Sequence, residues 1–384
     1  MVIEVYNSVQ GAAFFRRLIQ EWRGGGARVI AHQAISESDY RVRRGVVGRL
    51  LLRWRMYGGY ALTCWREAAG NSRGEVMRVV TTNPFFAPAL VNWSAGKRGK
   101  TINLLYDLFP DALIQAGTIR PHSFLARRCA AITRRALRDC SATVFLGERL
   151  QAHAEKTYGS ARRSVVIPVG ADGIPFRNFP PRLLGEKETP GILYSGQMGN
   201  MHETETVGRF LMQDPVAGVS WTFHASGSGC GRMRQATERN EAVTWGAPLD
   251  DILWQQQMKR SHVALVTIAP GAEKVVMPSK TYSAMVAGQA ILAVCRRESD
   301  LADLVGRHDC GWVVEPGDVA SLRRVISTIA SDRDSLWRKR KNSFEAGHAC
   351  YDMTPVAEEW KKLFGELGDD KGAMARAPAH LQAV

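Results

Sequence analysis

Short apolar runs rich in β-branched residues recur along the chain, separated by helix-length segments of mixed polarity. Six runs precede residue 170: Val2–Tyr6, Arg28–Ala31, Met77–Thr81, Thr101–Tyr106, Ala142–Leu146 and Val165–Val169. Six follow residue 190: Ile192–Ser195, Trp221–Ala225, Ala242–Trp245, Val263–Ile268, Ile291–Val294 and Gly311–Val314. Strands that alternate with helices indicate βαβ units and parallel sheets. The pattern therefore predicts an α/β protein with two doubly wound domains rather than one very large sheet.

A stretch with the composition of a linker divides the two sets of strands. The segment Phe176–Pro190 holds three prolines and several charges, which predicts one domain over residues 1–180 and a second over 181–368. Small and polar residues after Leu367 predict a disordered tail at 369–384. Open parallel sheets bind ligands beyond the carboxyl ends of their strands. We therefore expect the active site in a cleft where those ends of the two sheets face each other.

Composition and charge narrow the class of protein. The 384 residues are 45% hydrophobic and 23% charged, which is typical of a folded chain with two sizeable cores. Residues 1–180 hold 27 Lys and Arg against 12 Asp and Glu, whereas the remainder holds 24 against 25. The basic charge therefore lies in the first half. Nucleic acid, anionic lipid or a phosphorylated substrate would each suit it.

Cysteine usage and the N-terminus indicate a cellular location. Seven cysteines without a CxxC pair predict reduced thiols, and neither a disulfide framework nor a zinc site. The N-terminal sequence MVIEVYNS lacks the basic and apolar regions of a signal peptide, and no run of about 18 apolar residues predicts a spanning helix. We expect a cytoplasmic protein.

Two glycine-containing turns follow strands of the second half. The sequence Ser195-Gly196-Gln197-Met198-Gly199 ends one strand, and the segment from His224 to Gly229 ends the next. Glycine allows the backbone to approach an anion closely just before a helix begins. Each turn alone is equally well explained as an ordinary connection between a strand and a helix.

A helix start with a lysine lies further along. Pro278 and Ser279 predict the first turn of a helix, with Ser279 as its cap, and Gly288 predicts its end. Lys280 would add positive charge where a diphosphate could bind. The alternative is a capped amphipathic helix whose lysine is merely solvated.

The stretch from Met277 to Asp318 resembles the donor-binding half of glycosyltransferase family 4-like enzymes. Its closest resemblance is to a subgroup with "PSKTY" followed by "AAG.P.LA", found in bacterial exopolysaccharide, capsule and O-antigen assembly. The similarity extends through Tyr194–Gly196, through Val166–Asp172, which resembles "IPNGVD", and through Tyr106–Leu113, which resembles "DLWPD". The resemblance implies a GT-B fold, in which two Rossmann-like domains face a cleft.

The resemblance also implies an activity and a set of site residues. It implies transfer of a sugar, with retention, from a nucleoside diphosphate sugar to a lipid-linked or polysaccharide acceptor, without any further cofactor. Asp107 would face the reacting centre and orient or deprotonate the acceptor, although an Asp at a strand end also caps helices. The implied donor-binding residues are Gly196, Gln197, Met198 and Gly199 at the diphosphate, Ser226 and Gly227 flanking the nucleotide, Gly246 and Ala247 near the base, and Pro278, Ser279, Lys280, Thr281, Tyr282 and Ser283 at the diphosphate and ribose.

The chain departs from the family pattern at two places. Many relatives carry two glutamates eight positions apart, and Val275 and Ser283 occupy those positions here, with Glu273 out of register. The basic residue common after the first glycine turn is absent, because the segment Asn200–Glu203 replaces it. The sequence therefore predicts neither the sugar nor the nucleotide.

We predict that transfer needs no metal. The departing diphosphate needs its charge stabilised, and helix amides together with Lys280 are able to do this. The only DxD sequence, Asp332-Arg333-Asp334, lies in a late polar segment and predicts a solvated helix start.

A basic and apolar segment, Arg41–Trp65, indicates contact with a membrane. Its six arginines interleave with large apolar residues, which suits a helix lying in the interface of an anionic leaflet. The glycines at 45, 48, 58 and 59 weaken the helix prediction, and a core helix with solvated arginines is the alternative. The predicted docking residues, on the inner membrane face, are Arg49, Leu51, Arg53, Trp54 and Arg55.

Two other functions compete with this interpretation. A nucleotide-sugar 2-epimerase shares the fold and would consume donor without an acceptor, but needs an acid/base constellation that the sequence does not display. A basic nucleic-acid-binding protein is the other, but no known reading module is recognisable, so we predict no nucleic-acid partner.

Overall fold

A computed structural model of the chain describes residues 1–9, 13–36, 45–70, 76–213 and 218–375. These residues form two compact units. The first comprises Met1–Pro110, Pro121–Pro168 and the residues from Thr354 onward, and the second comprises Asp111–Arg120 and Val169–Met353. Each unit is built around a parallel sheet of six strands.

The first unit has the strand order β2-β1-β3-β4-β5-β6, so the order reverses between β1 and β3. Its strands are β1 (Val2–Tyr6), β2 (Arg28–His32), β3 (Val76–Thr81), β4 (Lys100–Leu105), β5 (Ala142–Phe145) and β6 (Ser164–Val166). The helices of this part of the chain are α1 (Ala13–Gly24), α2 (Val46–Trp54), α3 (Tyr60–Ala69), α4 (Ala87–Ala95), α5 (Asp111–Gln115, in the second unit), α6 (Phe124–Asp139) and α7 (Glu148–Tyr158). A π-helical turn, Arg55–Gly59, joins α2 to α3.

Helices α3, α4 and α6 lie side by side in the first unit. Residues of β1, β3, α3 and α4 share one buried cluster, formed by Tyr6, Tyr60, Cys64, Ala68, Val80, Ala87, Val91 and Ala95. The Asn92 amide of α4 donates to the Asp139 carbonyl at the end of α6, with an N–O distance of 3.1 Å. The three helices therefore cover the same face of the sheet.

The second unit has the strand order β12-β11-β10-β7-β8-β9, which is the Rossmann order and reverses between β7 and β10. Its strands are β7 (Gly191–Gln197), β8 (Ser220–Ser226), β9 (Val243–Gly246), β10 (Val263–Thr267), β11 (Ala290–Val294) and β12 (Gly311–Val314). The remaining helices are α8 (Glu205–Met212), α9 (Cys230–Thr237), α10 (Asp251–Arg260), α11 (Lys280–Val286), α12 (Asp300–Arg307), α13 (Val319–Ser331), α14 (Arg333–Ala346) and α15 (Met353–Ala375). A 3-10 turn, Ala272–Lys274, and a π-helical turn, Gly347–Tyr351, complete the elements.

Aromatic residues pack together on two neighbouring strands of the second sheet, β8 and β9. The rings of Trp221 and Phe223 are parallel, and the Phe223 ring stacks on that of Trp245 at 4.7 Å between centroids. Strands β10 and β11 are buried along their whole length. These features follow from the continuous apolar runs in the sequence, since a strand covered on both faces has no polar side.

All twelve predicted strands are confirmed, with ends that differ by at most three residues. The division between the units differs from the predicted boundary at 180, because the chain passes into the second unit at Pro168–Val169. Segment 176–190 belongs to the second unit and packs against its other residues. The Arg340 guanidinium donates to the Arg182 carbonyl at 3.1 Å, and Pro181 covers Gly288. These contacts come from residues distant in sequence, which a local linker signal does not report.

The chain returns to the first unit at its end. Helix α15 extends to Ala375, so the start of the predicted disordered tail is helical, and residues 376–384 lie outside the described part. Trp360 and Phe364 of α15 pack on Trp22 of α1, with ring centroids 5.4 and 5.5 Å apart. The aromatic side of α15 explains why this helix belongs to the first unit. Among the described residues, no helix is long and apolar enough to cross a bilayer.

Candidate functional site

A cavity of about 500 Å³ lies within the second unit, at the point where the strand order reverses between β7 and β10. This volume is in the range of small-molecule sites, and this position is where doubly wound sheets bind ligands. Its polar wall is formed by Ser195, Gly196, Gln197, His202, Thr267, Ser279, Lys280, Ser283 and Gln289. Its apolar wall includes Leu193, Met201, Trp254, Met258, Ala264, Leu265, Val266, Val276, Met277, Pro278 and Ala284.

Lys280 is the cation of the cavity wall. Its Nζ lies 3.8 Å from the centroid of the Tyr194 ring and donates to the Gln197 carbonyl at 3.3 Å. The side chain is half-buried, and desolvation lowers its pKa to about 7. A carbonyl and an aromatic face attract a cation, but neither carries a full negative charge to balance it. An anion in the cavity would therefore pair with the positive charge of Lys280, which no anionic group among the described residues of the cavity wall balances in the free protein.

His202 faces the same cavity from the segment that replaces the family's basic residue. Desolvation and the nearby Lys280 charge lower its pKa to about 4, so the ring is neutral at pH 7. The Gly199 amide donates to its Nδ1 at 3.1 Å, which places the remaining ring proton on Nε2. His202 thus brings a neutral hydrogen-bond donor where a cation is common among the relatives.

The glycine turn predicted at the diphosphate and the one predicted to flank the nucleotide form one interlocked structure. The Met198 amide donates to the Ser226 carbonyl at 2.7 Å, and the Gly229 amide donates to the Met198 carbonyl at 2.8 Å. Gly227 has a φ of +121°, and a Cβ there would lie 2.6 Å from the Met198 carbonyl oxygen. Ser226 and Gly227 therefore hold the first turn in place, and the Met198 side chain is buried in the core.

Gly196 is the glycine that opens onto the cavity. Its φ of +116° is one that side chains disfavour, yet a Cβ there would meet no atom within 4 Å. At Gly246, by contrast, a side chain is excluded by lack of space, since a Cβ would lie 2.3 Å from the His224 ring. His224 Nδ1 in turn lies 2.8 Å from the Ala247 carbonyl oxygen. Gly199, Gly246 and Ala247 are not part of the cavity wall.

Helix α11 begins at Lys280, directly after the predicted cap residue, but the predicted capping hydrogen bond is absent. Ser279 takes the N-cap position without a side-chain hydrogen bond, because its backbone is already helical at φ −60° and ψ −26°. The Thr281 and Tyr282 side chains point into the core, and the Tyr282 ring packs on Tyr351 at 5.0 Å. These two predicted donor residues support the cavity wall from behind.

The positions of the two missing glutamates are also resolved. Ser283 lines the cavity, whereas Val275 is buried. The buried Glu273 accepts from the Gly271 amide at 2.6 Å and lies 3.9 Å from the Arg296 guanidinium. Ser283 is therefore the only one of these three that reaches the cavity.

Asp107 lies in the first unit, two residues after β4 ends. The amides of Tyr106 and Asp107 both donate to the Thr82 hydroxyl, at 3.1 and 3.2 Å, which fixes the backbone at the carboxyl edge of the sheet. The side chain keeps exposed surface, yet the surrounding atoms desolvate its carboxyl and raise its pKa. Asp107 does not cap a helix, since α5 begins only at Asp111.

The predicted membrane segment is described from Gly45 onward, and residues 41–44 lie outside the described part. Leu50, Leu51 and Trp54 of α2 are exposed, as are Arg49, Arg53 and Arg55. Arg55 donates to the Ala34 carbonyl at 3.2 Å.

The late DxD is confirmed as a helix start, because Asp332 accepts from the Ser335 amide and caps α14. Among the described residues, no group of three metal-ligating side chains is present.

The chain is similar to known proteins in sequence and in structure. No protein-family model matches it. The "Probable glycosyltransferase WbjE" of Pseudomonas aeruginosa is 23% identical over 280 residues, which cover 66% of this chain and 65% of that protein. The match therefore spans slightly less than two thirds of that relative's length.

Solved structures align over nearly the whole chain. Sucrose-phosphate synthase of Thermosynechococcus elongatus aligns with a TM-score of 0.73 at 14% identity, covering 96% of this chain and all of that one. The chain has the GT-B fold. Anabaena HepE in complex with UDP-glucose aligns with a TM-score of 0.69 at 15% identity, covering 95% of this chain and 100% of HepE. WaaG, a glycosyltransferase involved in lipopolysaccharide biosynthesis, aligns with a TM-score of 0.62 at 12% identity, covering 94% and 99%. The resemblance to GT-B glycosyltransferases that the sequence indicates is confirmed.

The cavity joins only some of the residues that the sequence predicts for donor binding. Gly196, Gln197, Pro278, Ser279, Lys280 and Ser283 line it. Sequence reasoning missed His202, Thr267, Trp254 and Met258. Thr267 ends a strand next to the switch point and was therefore open to prediction, whereas Trp254 and Met258 belong to α10, which carries no motif.

Proposed function

We propose that this GT-B chain transfers a sugar from a nucleoside diphosphate sugar to an acceptor in bacterial cell-surface glycan biosynthesis. The observation that carries the proposal is the cavity at the β7–β10 switch point, whose wall holds Gly196 and a half-buried lysine. HepE, which has the same overall fold, binds UDP-glucose, and WaaG is involved in lipopolysaccharide biosynthesis. Both are consistent with a donor site in the second unit.

Lys280 would act on the leaving group. In transfer, the bond between the anomeric carbon and the diphosphate oxygen breaks, and the acceptor oxygen bonds to the anomeric carbon. Negative charge develops on the departing diphosphate, and a protonated Lys280 beside Gly196 stabilises it. His202 would donate a hydrogen bond to the same region through its Nε2 proton. These groups give leaving-group stabilisation from the protein itself, and we propose metal-independent transfer with retention, as in the enzymes that the chain resembles.

Asp107 would serve the acceptor. A carboxylate with a raised pKa is a better proton acceptor than an ordinary one, and the Thr82 hydroxyl fixes its backbone. We propose that it orients the acceptor hydroxyl or takes its proton. The acceptor is a lipid-linked saccharide or a growing polysaccharide.

We further propose that the chain works in the cytoplasm, on the inner membrane face. Helix α2 presents Leu51 and Trp54 beside Arg49 and Arg53, Arg55 follows at the start of the π-helical turn, and all five side chains are exposed. Apolar side chains flanked by arginines favour the interface of an anionic leaflet over water. A lipid-linked acceptor would be presented at that surface.

A thermal-shift screen of UDP-, GDP- and ADP-sugars tests the donor site. The matching nucleotide at 100 times its dissociation constant should stabilise the protein by about 2.7 kcal/mol. The Lys280→Ala variant, whose side chain lies at the cavity wall rather than in the core, should fold normally and lose most of this shift. Equal shifts in the parent and the variant would remove Lys280 from the site, and no shift with any nucleotide would contradict the proposal.

A further inference from the structure

Two helix starts lie at the same edge and on the same face of the first unit. Helices α2–α3 and α6 each follow a strand and lead into the next parallel strand, so both begin at the carboxyl edge of the sheet. Helix α4 lies between α3 and α6, as the shared buried cluster and the bond from Asn92 to Asp139 require. Helix α2 and the first turn of α6 therefore occupy one side of the same edge.

Helix α2 stands clear of the core at this edge. The residues buried along the π-helical turn and α3 recur every four positions, at Met56, Tyr60, Cys64 and Ala68. Before Met56, none of the residues from 47 to 55 is buried. Trp54 is 59% exposed. A helical segment with no core behind it presents its apolar residues to whatever covers this edge.

The first turn of α6 repeats this chemistry independently. Phe124 is 65% exposed and Leu125 is 51% exposed, and exposed arginines at 127 and 128 follow them. The Ser123 hydroxyl caps the helix by accepting from the Ala126 amide at 3.2 Å, which holds the turn rigid. The Arg128 guanidinium lies over the Phe124 ring, 4.9 Å from its centroid. The turn is thus a preformed apolar pair with positive charge around it.

We propose that the first turn of α6 is a second lipid contact, which acts together with α2 to dock the first unit on an anionic bilayer by the carboxyl edge of its sheet. This inference rests on the membrane association proposed above. Phe124 and Leu125 would enter the interface, and Arg127 and Arg128 would bind lipid phosphates. A second copy of the chain fits this surface less well, because residues 1–180 carry 27 basic against 12 acidic side chains and would repel their copy.

Two contacts define an orientation, which a single helix does not. The loop that holds Asp107 follows β4 at the same carboxyl edge. With both contacts engaged, the side of this edge that carries α2 and the first turn of α6 faces the lipid headgroups. An acceptor anchored in the bilayer would then present its saccharide beside Asp107, which favours the lipid-linked acceptor class over a free polysaccharide.

Vesicle binding by paired variants tests the second contact. The probes are phosphatidylcholine vesicles with and without phosphatidylglycerol, and the variant is Phe124→Ser with Leu125→Ser. The matched control is Trp93→Ser, since Trp93 is 61% exposed but lies near the end of α4, towards the opposite edge of the sheet. The double variant should lower the partition coefficient about tenfold or more, whereas the control should leave it unchanged. Arg127→Gln with Arg128→Gln should weaken binding only to the anionic vesicles, and less so at high salt.

Several results would overturn the inference in distinguishable ways. If the parent binds anionic vesicles and the Phe124/Leu125 variant binds equally well, the second contact is wrong while the membrane association stands. If Trp93→Ser weakens binding as much, the contact is not specific to this edge. If the double variant changes the sedimentation coefficient of the free protein instead, the surface joins two copies. If the parent binds no vesicle, both the association and the second contact fail, although nucleotide binding is unaffected by that result.

Discussion

The charge of Lys280 depends on what occupies the cavity. In the free protein, desolvation lowers its pKa to about 7, and its partners are the Tyr194 ring and the Gln197 carbonyl. A bound diphosphate supplies a full negative charge and so raises that pKa again. Binding above pH 7 must therefore take up a proton, whereas binding well below pH 7 need not.

The first prediction follows from this linkage. Nucleoside diphosphate affinity should fall as pH rises above 7, by up to about tenfold per pH unit. Lys280→Arg should remove this dependence, since a guanidinium stays protonated throughout the range. Lys280→Ala should weaken binding at pH 6 as well. Calorimetric titration in buffers of different ionisation enthalpy measures the proton uptake directly, and the absence of uptake in the parent would contradict the role of Lys280.

Asp107 yields a second prediction, which concerns the first unit. If its carboxylate accepts the acceptor proton, Asp107→Asn should lower kcat by about 100-fold or more while nucleotide affinity stays constant. The raised pKa places the loss of activity in acid at a higher pH than for an ordinary carboxylate, because the base works only when deprotonated. A pH–rate profile of the parent tests this. An Asp107→Asn variant with normal kcat would limit Asp107 to a structural role.

Helix α2 continues into α3 despite the glycines that weaken the helix prediction. The turn Arg55–Gly59 adopts π-helical geometry, and the Trp54 indole lies over Gly58, where a Cβ would come within 3.2 Å of its Nε1. Gly58 and Gly59 therefore make room for an exposed tryptophan rather than ending the helix. The low helix propensity of glycine does not predict this packing, which depends on the three-dimensional geometry of the turn.

Changing the arginines of α2 and of the turn that follows it is expected to weaken membrane binding. The triple variant Arg49→Gln, Arg53→Gln and Arg55→Gln should lose about 1 kcal/mol per charge on anionic vesicles at low salt. Leu51 and Trp54 should leave a residual fraction that resists salt. Co-sedimentation across a salt series measures both parts. Equal binding to neutral and anionic vesicles, or a triple variant that matches the parent, would assign α2 a purely structural role.

Asp352 joins two distant segments of the second unit. Although burial alone would raise its pKa, the His348 ring nitrogen 3.5 Å away and hydrogen bonds from Arg177, Gly173 and Met353 outweigh burial and hold the pKa well below its usual range. The Gly173 amide donates at 3.0 Å and the Arg177 guanidinium at 2.9 Å. These bonds tie residues 171–177 to the end of the π-helical turn, where the chain leaves the unit.

The fourth prediction concerns the stability that this carboxylate provides. Asp352→Asn should destabilise the protein by about 1–3 kcal/mol at pH 7, because the buried donors lose a charged acceptor. A depressed pKa stabilises the fold fully above the unfolded value, near 4, and this stabilisation is lost progressively as pH falls from there towards the lower pKa of the folded state. The parent and the variant should therefore converge in denaturant midpoint towards acid pH. Glu186→Gln, at an exposed carboxylate of the same unit, serves as the control and should leave the midpoint unchanged.

At the scale of the whole molecule, the apolar runs predict both sheets and all twelve strands, with strand ends within three residues of those observed. Buried parallel strands leave a local signal, since each is a continuous run such as Val263–Thr267. The division of the chain leaves no such signal. Residues 111–120 belong to the second unit through contacts such as the Gln115 amide donating to the Pro270 carbonyl at 2.8 Å, over 155 positions.

The sequence predicts the candidate site only where cavity residues are close together in the sequence and form motifs. Gly196, Lys280 and Ser283 belong to motifs and line the cavity. Thr281 and Tyr282 share the motif, but the helical turn directs their side chains into the core. Trp254 reaches the wall from α10 through tertiary packing alone, so no pattern in the sequence indicates it.

Acceptor-dependent release of nucleoside diphosphate tests the proposed reaction most directly. The protein is incubated with the nucleotide-sugar found in the thermal-shift screen, with and without detergent-dispersed lipid-linked saccharide, in the presence of EDTA. We predict nucleotide release and a lengthened lipid-linked product only when the acceptor is present, with both lost in Lys280→Ala. Donor consumption without an acceptor would indicate epimerase chemistry instead, and activity that EDTA abolishes and magnesium or manganese restores would contradict metal-independent transfer.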